Sequence, residues 1–405
     1  MKRTLRIGIV TEGLEERRTA HGVEIANGGV GVYIYNLIRE LGALDARNEY
    51  FLIRRGRGDL DVYADPRFRV VPIAPSLFNR FAVWIDVPFR RIARDLGLDL
   101  VHYPNQFGGA FLPRGVKRVM TLHDVTPLLF PRFHPWRSFL GYRVLLRRAL
   151  AAADAVITDS EATRHDLVSR GWADPRIVRA IPLAPAAIFR ADSGSRASVV
   201  GHDLPARFLL SVGVLEPRKN HAILFDALRR VRAAGEAIGL VIVGRDGWKW
   251  RDPSQSREYA DVAPHVRVLR NVPDAELAEL YARAAVFAYP SYYEGFGLPV
   301  VEAMAAGIPV VTSPVSSLPE VAGDAALYAD PDDAAAYAAA ILRCLREDAL
   351  RARLREAGQR RVAALSWRRT AAETLAVYEA VCAGRPLTGE PWSSAPSRSA
   401  AGASE

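Results

Sequence analysis

The feature that most constrains the fold is an alternation of short β-branched runs with helical stretches, which occurs twice along the chain. The first series of predicted strands is Ile7–Val10, Tyr50–Ile53, Val70–Ile73, Leu100–His102, Arg118–Leu122 and Ala155–Thr158. The second series is Phe208–Val212, Gly239–Val243, His265–Leu269, Val286–Tyr289 and Pro309–Thr312. Strands separated by crossover helices form parallel sheets. The sequence therefore predicts an α/β fold of two doubly wound, Rossmann-like domains that face each other across a cleft, with ligands bound at the carboxyl ends of the strands.

The predicted domain boundaries follow from length and periodicity. A chain of 405 residues exceeds what one core organises, which favours two domains. Periodicity fades in a Pro-, Ser- and Gly-bearing stretch from about 184 to 201, where we expect the linker. The predicted parts are an N-terminal domain over 1–190, a C-terminal domain over 191–365, an amphipathic helix over 366–383 with Ser366 as its N-cap, and a disordered tail over 384–405.

The net charge of +9 is concentrated in the first half of the chain. Residues 1–190 hold 29 Lys and Arg against 19 Asp and Glu, and the remainder holds 25 against 26. A basic surface attracts nucleic acid, anionic lipid or a phosphorylated substrate, but no nucleic-acid recognition motif is present. The two cysteines lie in helical stretches, and no apolar run has the length of a signal peptide or membrane span. These features predict a cytoplasmic protein in a reducing compartment.

The most informative segment is 290–311, which follows the predicted strand Val286–Tyr289. A Gly-bearing loop carrying Glu294 leads into a helix near Pro299, and Glu302 lies one turn inside that helix. A helix N-terminus presents free N–H groups and a partial positive charge, which suits a diphosphate. Each part also has a purely structural interpretation, because a Gly-rich turn can simply turn and a first-turn Glu can complement the helix dipole.

Three further segments place candidate residues at the ends of predicted strands. Arg218 and Lys219 follow Phe208–Val212 and could stabilise a departing nucleoside diphosphate without a metal, although a basic pair can also be an ordinary surface feature. The glycine-rich run over 27–33 precedes a predicted helix and could approach a phosphate, but it lacks the third glycine of a dinucleotide-binding fingerprint. His123 follows Arg118–Leu122, so we expect it to face the cleft as a functional group or, alternatively, as a structural hydrogen-bonding residue.

Taken together, these residues resemble a known family. The segment Glu-Gly-Phe-Gly-Leu-Pro begins at Glu294, and the segment Glu-Ala-Met-Ala-Ala-Gly-Ile-Pro begins at Glu302. Together they are similar to the signature of the large retaining GT-B glycosyltransferase family of the family 4, group 1 type. This family includes bacterial mannosyltransferases and sucrose synthases. The run over 216–220 is similar to that family's phosphate-binding motif. The resemblance spans nearly everything from the first strand to Val381.

The resemblance implies a role for each matching residue. Arg218 and Lys219 would bind the donor diphosphate, Glu294 would contact the transferred sugar, and Glu302 would contact the ribose. The backbone of Gly297 and Leu298 would cap the β-phosphate, and Gly29 or Gly31 would approach the same phosphate from the opposite domain. His123 would hold the donor sugar near its reacting face. The C-terminal helix would cross back onto the first domain.

The resemblance also implies a mechanism. Retention would follow from front-face attack assisted by a phosphate oxygen of the leaving group, so neither a carboxylate nucleophile nor a metal or other cofactor is expected. One position departs from the pattern, because Val214 stands where some relatives carry an Arg that contacts phosphate.

The runs over 121–131 and 243–248, with the glycine-rich run, look like bacterial O-antigen and exopolysaccharide mannosyltransferases. They imply a GDP-mannose donor and a glycan acceptor, expected to be lipid-linked; a UDP-hexose donor stays open. The Arg-rich segments over 78–94 and 136–148 could rest on an anionic membrane surface, as a peripheral protein would, or could be ordinary core-facing helices.

Two other classes of protein remain as alternatives. A hydrolysing sugar-nucleotide epimerase would need acid/base residues for proton abstraction. A non-catalytic nucleotide-sugar-binding protein would be expected to lose His123 or Glu294.

Overall fold

A computed structural model describes residues 3–12, 16–19, 22–25, 28–55, 66–73, 86–105, 112–134, 136–190 and 203–387. The chain divides into two compact units, of which the first comprises Met1–Leu183 with Ser366–Glu390 and the second comprises Ala184–Leu365. The second unit begins before 191, the predicted start of the C-terminal domain. The short turn Ala187–Phe189 packs in this unit, with the Phe189 ring 5.4 Å from that of Tyr281. Most of the predicted linker and of the predicted tail lies outside the described residues.

The first unit is built on a parallel sheet. Its strands are β1 (Arg6–Val10), β2 (Glu16–Thr19), β3 (Gly22–Ile25), β4 (Glu49–Arg55), β5 (Phe68–Ile73), β6 (Leu100–Tyr103), β7 (Lys117–Leu122), β8 (Ala155–Thr158) and β9 (Val178–Ala180). Its helices before the second unit are α1 (Gly28–Leu44), α2 (Asp86–Asp95), α3 (Thr126–Leu129), α4 (Trp136–Ala152) and α5 (Glu161–Ser169). The sheet order is β5-β4-β1-β6-β7-β8-β9, and β2 and β3 form a separate antiparallel pair. Strands β6 and β8 are buried along their whole length, as expected when helices cover both faces.

The second unit repeats this architecture. Its strands are β10 (Phe208–Val212), β11 (Gly239–Val243), β12 (Val266–Leu269), β13 (Val286–Tyr289), β14 (Val310–Thr312) and β15 (Ala326–Tyr328). Its helices are α6 (Ala222–Ala233), α7 (Asp274–Arg283), α8 (Leu298–Ala305), α9 (Leu318–Ala322), α10 (Ala334–Arg346) and α11 (Asp348–Ala363). The sheet order is β12-β11-β10-β13-β14-β15, so the chain reverses its direction of winding between β10 and β13. Loops that follow these two strands therefore meet at the topological switch point, where open α/β sheets bind ligands.

The last described helix, α12 (Trp367–Cys382), returns to the first unit, as predicted. Ser366 caps it, and its Oγ accepts a hydrogen bond from the Arg369 N–H at 3.1 Å. Farther along α12, Thr370 donates to the Pro182 carbonyl at 2.7 Å, and the Tyr378 hydroxyl lies 2.6 Å from His102 Nδ1. These buried hydrogen bonds tie the helix to the chain around the sheet, so α12 is an integral part of the first unit.

The two Arg-rich segments lie partly outside the described residues, which omit 74–85 and 135 and the side chains of 86–88 and 136–142. Where the structure describes them, Phe89 and Leu146 are fully buried, whereas Arg143 and Arg147 are exposed. The described parts of α2 and α4 therefore turn apolar residues to the core. Across the described part of the chain, no helix is both long and apolar enough to cross a bilayer.

Candidate active site

The loop after β10 carries Arg218 and Lys219 and is held in place by the loop after β11. The Leu215 N–H donates to the Arg245 carbonyl and the Gly247 N–H donates to the Leu215 carbonyl, both at 2.9 Å. A Cβ atom on Gly244 would lie 1.9 Å from a backbone oxygen of this loop, so a residue without a side chain is required there. The two loops thus extend the pairing of β10 and β11 beyond the strands and fix the turn at Pro217–Lys219.

Arg218 and Lys219 converge with two carboxylates at the switch point. Lys219 Nζ donates to Glu294 Oε1 at 2.7 Å and to the Tyr289 hydroxyl at 2.6 Å. Arg218 places Nη1 3.1 Å from Glu294 Oε2 and Nη2 2.5 Å from Glu216 Oε1. All four charged side chains are largely buried. We call Glu216, Arg218, Lys219 and Glu294 the cation cluster; its two positive charges face two negative ones.

The cation cluster keeps Glu294 ionised. Burial by itself would raise the pKa of Glu294, but the charges of Lys219 and Arg218 outweigh burial and lower this pKa to about 2. Burial lowers the pKa of Lys219, and the neighbouring Glu294 opposes that shift. A carboxylate held this firmly as an anion is a hydrogen-bond acceptor for hydroxyl groups and a poor proton acceptor at neutral pH.

Two serines that follow β14 pin the loop that carries Glu294. The Glu294 N–H donates to Ser316 Oγ at 2.8 Å, and the Ser317 hydroxyl lies 2.9 Å from the carbonyl oxygens of Glu294 and Phe296. Ser316 adopts a left-handed backbone conformation with φ of 49°, which is uncommon for a residue other than glycine. Neither serine was among the predicted site residues, although their position after a parallel strand was a usable signal.

The helix α8 begins where the sequence suggested. Gly297 precedes it with φ of 102°, Leu298 is its first residue, and Pro299, which has no N–H, is its second; the Val300 N–H donates to the Gly297 carbonyl at 2.9 Å. A Cβ atom on Gly297 would lie 3.0 Å from Leu318 Cδ2. The turn before α8 therefore favours glycine both for its conformation and for the space it leaves. Capping of a phosphate by Gly297 and Leu298 stays a prediction.

Glu302 occupies a different environment from that of the cation cluster. Its Oε2 accepts a hydrogen bond from the Tyr281 hydroxyl at 2.9 Å. Burial raises the pKa of Glu302 to about 7, and the Tyr281 hydrogen bond only partly offsets this. The structure thus gives Glu302 a phenol partner where Glu294 has cations. Contact of Glu302 with a ribose stays a prediction.

In the first unit, His123 follows β7 and is fixed by acceptors on both sides. Its Nδ1 lies 2.7 Å from Asp159 Oδ2 and its Nε2 lies 2.9 Å from the Pro104 carbonyl oxygen. The Tyr33 ring packs edge-on against the imidazole at 5.0 Å. Burial favours the neutral ring, but Asp159 outweighs burial and the pKa of His123 is raised. Asp159, which directly follows β8, was not among the predicted site residues, so its pairing with His123 is new.

The glycine-rich run differs from its prediction. Helix α1 begins at Gly28, inside the run that was predicted to precede it, so Gly29 and Gly31 lie in its first turn and not in a loop before it; Asn27 lies outside the described residues. Gly28 has φ of 61°, which glycine adopts without strain. Gly29 is exposed and Gly31 is buried. Tyr33 of the same helix contacts His123, so the first turns of α1 lie close to His123 in the first unit.

No group of three or more His, Cys, Asp or Glu side chains with metal-binding geometry occurs among the described residues. The described cysteines, Cys344 and Cys382, are both unpaired. Burial raises the pKa of the Cys344 thiol to about 12 and that of Cys382 to about 11. At neutral pH neither is a reactive thiolate.

Comparisons with known proteins identify the family. The family described as Glycosyltransferase Family 4 matches residues 27–184, and that described as Glycosyl transferases group 1 matches residues 197–361. The chain is 33% identical over 297 residues to the O-antigen chain mannosyltransferase B of Escherichia coli, which covers 71% of this chain and 75% of that protein.

Solved structures share the fold across almost the whole chain. Sucrose-phosphate synthase from Thermosynechococcus elongatus matches with a TM-score of 0.71 and 23% identity, over 94% of this chain and 100% of the other. HepE from Anabaena, solved in complex with UDP and glucose, matches with a TM-score of 0.65 and 17% identity, over 92% and 99% of the two chains. With its two parallel sheets and these matches, the chain belongs to the GT-B glycosyltransferases of family 4, group 1.

Proposed function

We propose that this enzyme transfers mannose from GDP-mannose, with retention of configuration, to a lipid-linked glycan acceptor in the synthesis of a cell-surface polysaccharide such as an O-antigen. The observation that carries the proposal is the cation cluster, in which Arg218 and Lys219 are buried beside Glu294 at the switch point of the second sheet. Such a site suits a sugar diphosphate, which combines an anionic group with hydroxyl groups.

In the proposed reaction, the bond between the sugar anomeric carbon and the phosphate oxygen breaks while the acceptor oxygen bonds to that carbon from the same face. Negative charge grows on the departing diphosphate, and Arg218 and Lys219 compensate it from fixed positions in a low-dielectric site. The acceptor proton passes to an oxygen of the departing phosphate. No metal is needed in this scheme, because the two cations supply the positive charge.

Glu294 acts in this scheme as an anionic acceptor of hydrogen bonds from the sugar hydroxyls. Its low pKa and its ion pairs with Arg218 and Lys219 support that role over a role as base or nucleophile. The resemblance supplies the remaining contacts: Glu302 to the ribose, the backbone of Gly297 and Leu298 to the β-phosphate, and Gly29 or Gly31 to the same phosphate.

Mannose is favoured as the donor sugar because the relative with 33% identity is an O-antigen chain mannosyltransferase. The second candidate is a UDP-hexose donor, since HepE, which shares the fold, was solved with UDP and glucose. A non-catalytic nucleotide-sugar-binding role is the weaker alternative, because His123, Glu294 and both cations of the cluster are all retained.

We also propose that the protein works at the cytoplasmic face of a membrane, where a lipid-linked acceptor would be found. The exposed Arg143, Arg147 and Arg148 on α4, with the half-exposed Val144 beside them, support contact with anionic headgroups. Their effect would weaken with salt, because such attraction is screened.

The test is thermal stabilisation in EDTA by GDP-mannose, GDP, UDP-glucose, UDP-N-acetylglucosamine, UDP and NAD, because a ligand that binds only the folded protein raises its stability. We expect a shift with GDP-mannose and GDP alone. A response to uridine nucleotides alone would overturn the mannose assignment, and silence with every nucleotide sugar would overturn the transferase proposal. The anomeric configuration of the product, read by NMR, tests retention.

A further inference from the structure

The hydrogen-bond partners of His123 determine where its protons are. A neutral imidazole has one N–H donor and one nitrogen acceptor, whereas the charged ring has two donors. The Pro104 carbonyl can only accept, so Nε2 carries a proton. At Nδ1 the partner is Asp159 Oδ2, so one proton lies between these two atoms. Neither ring nitrogen has a lone pair free to take a proton from a substrate.

Burial raises the pKa of Asp159, but Asp159 in turn raises the pKa of His123, and imidazole is intrinsically the stronger base of the two groups, so we assign the proton between Nδ1 and Oδ2 to the ring. The pair is thus an imidazolium and a carboxylate. The carboxylate Oδ2 is engaged by the ring, and Oδ1 of Asp159 is buried and has no partner within the described residues. The alternative, a carboxylic acid that donates to Nδ1, would leave the ring equally unable to act as a base.

His102, close by in the same unit, provides an internal contrast. Its Nε2 contacts the Thr121 hydroxyl at 2.8 Å and its Nδ1 contacts the Tyr378 hydroxyl at 2.6 Å. Hydroxyl groups both donate and accept, so these partners permit a neutral ring with one proton. Burial, helped by the charge of His123, lowers the pKa of His102 to about 3. His102, on β6, and His123, directly after the adjacent strand β7, are therefore held in different charge states, one neutral and one positive.

The other groups around His123 do not supply a competing proton. Tyr33 from α1 packs against the ring, and burial raises its pKa, which keeps it neutral. Asp124, the next residue, accepts hydrogen bonds at Oδ1 from the N–H and hydroxyl of Thr126 and adds a second negative charge near the ring. The surroundings thus consist of two carboxylates, one neutral histidine and one neutral tyrosine.

We propose that His123 serves this enzyme as a fixed, doubly donating imidazolium and not as a base, and that Asp159 is the positioning residue that holds it in this state. The catalytic part of this inference rests on the proposed function, whereas the charge of the ring does not. It follows that the acceptor proton does not pass to His123. In the reaction proposed above it passes instead to an oxygen of the departing diphosphate, as the anomeric carbon exchanges its phosphate oxygen for the acceptor oxygen.

The first test is ¹⁵N NMR of the histidine rings between pH 6 and 9 in the whole protein, with His123→Gln to assign the signal among eight histidines. We expect both nitrogens of His123 to show shifts of protonated nitrogen throughout the neutral range, and one nitrogen of His102 to lack a proton. A deprotonated nitrogen in His123 at pH 7 would overturn the proposal. This readout is independent of any transfer activity.

The second test uses Asp159→Asn, with Asp174→Asn as a control at a solvent-exposed acid. We expect the His123 signal of Asp159→Asn to change to that of a singly protonated ring by pH 7, and kcat to fall at least tenfold with KM for the donor changed less than threefold. The control should match the wild type in both readouts. An unchanged ring signal in Asp159→Asn would overturn the positioning role, and normal NMR results in a protein that transfers no sugar would contradict the proposed function alone.

Discussion

Glu294 and Glu302 are two buried carboxylates that follow the same strand, β13, and their surroundings differ in one respect. Glu294 contacts Arg218 and Lys219, whereas Glu302 contacts the hydroxyl of Tyr281. Cations overcome the cost of burying a charge, and a phenol does not, so the two pKa values move apart to about 2 and about 7. Residues of one type at one sheet edge thus become a permanent anion and a group that exchanges its proton near neutral pH.

The two carboxylates therefore affect folding stability in opposite directions. Glu294 binds protons less tightly in the folded protein, so its contribution is present above its ordinary pKa and is lost as the pH falls toward 2. Glu302 binds protons more tightly in the folded protein, so its contribution is complete below its ordinary pKa and is lost as the pH rises through 7.

The largest expected effect comes from removing Lys219, one of the two cations that distinguish the surroundings of Glu294 from those of Glu302. Lys219→Met removes a hydrogen-bonded charge from Glu294 and from the proposed leaving group, and we expect kcat to fall by about 10² to 10³. The measurement is sugar transfer at saturating donor. Arg230→Met, at an exposed position on α6, is the matched control and should retain wild-type turnover. Turnover of Lys219→Met above a tenth of wild type would contradict this prediction.

A double variant separates folding from chemistry at the same site. Lys219→Met also leaves a buried carboxylate with less compensation, which costs about 3 kcal/mol or more. In Lys219→Met/Glu294→Gln both charges are removed, so we expect thermal stability to recover while kcat stays low. If the double variant regained activity, charge balance alone would explain the cluster.

A second, smaller effect should appear in the pH dependence of stability. A pKa of about 7 in place of 4.5 corresponds to about 3 kcal/mol that Glu302 contributes at pH 4.5 and loses by pH 8. We expect Glu302→Gln to lack this loss, so that its free energy of unfolding falls less than that of the wild type between pH 5 and 8. Urea unfolding at several pH values checks it, and parallel profiles for the two proteins would count against a raised pKa.

The smallest expected effect refines the contrast between the phenol and the cations. Tyr281→Phe removes the hydrogen bond that favours the ionised form of Glu302. We expect the pKa of Glu302 to rise further, by about one unit, or about 1.4 kcal/mol. The readout is the pH at which nucleotide binding changes by half, compared with Tyr328→Phe as a control at another tyrosine. A lower midpoint would reverse the assigned role of Tyr281.

Local sequence patterns predicted the elements that position the site. Each predicted strand is present, and Arg218, Lys219, Glu294 and His123 follow strands as expected. Hydrophobic runs bounded by turns are enough to predict these strands, because parallel strands buried on both faces are apolar along their length. Four strands were missed: β9 and β15 contain only three residues each, and β2 and β3 form a hairpin of four-residue strands in which β2 carries mostly charged or polar residues.

The partners of the site residues could not be predicted in the same way. Tyr289, Ser316 and Asp159 contact site residues that lie 70, 22 and 36 positions away in the chain. Such contacts depend on which strands are neighbours, and strand order is not a local property of the sequence. The start of α1 was misplaced for a different reason: glycines disfavour helices, yet this helix begins with them.

The return of α12 to the first unit has a consequence for biosynthesis. Residues 184–365 form a continuous unit that can fold as soon as it has left the ribosome, whereas the first unit needs Ser366–Glu390 as well as Met1–Leu183. Until Tyr378 arrives, His102 lacks its hydrogen bond to that residue. The part of the chain made first is therefore completed last, and nascent chains that stop before α12 should be clients of chaperones.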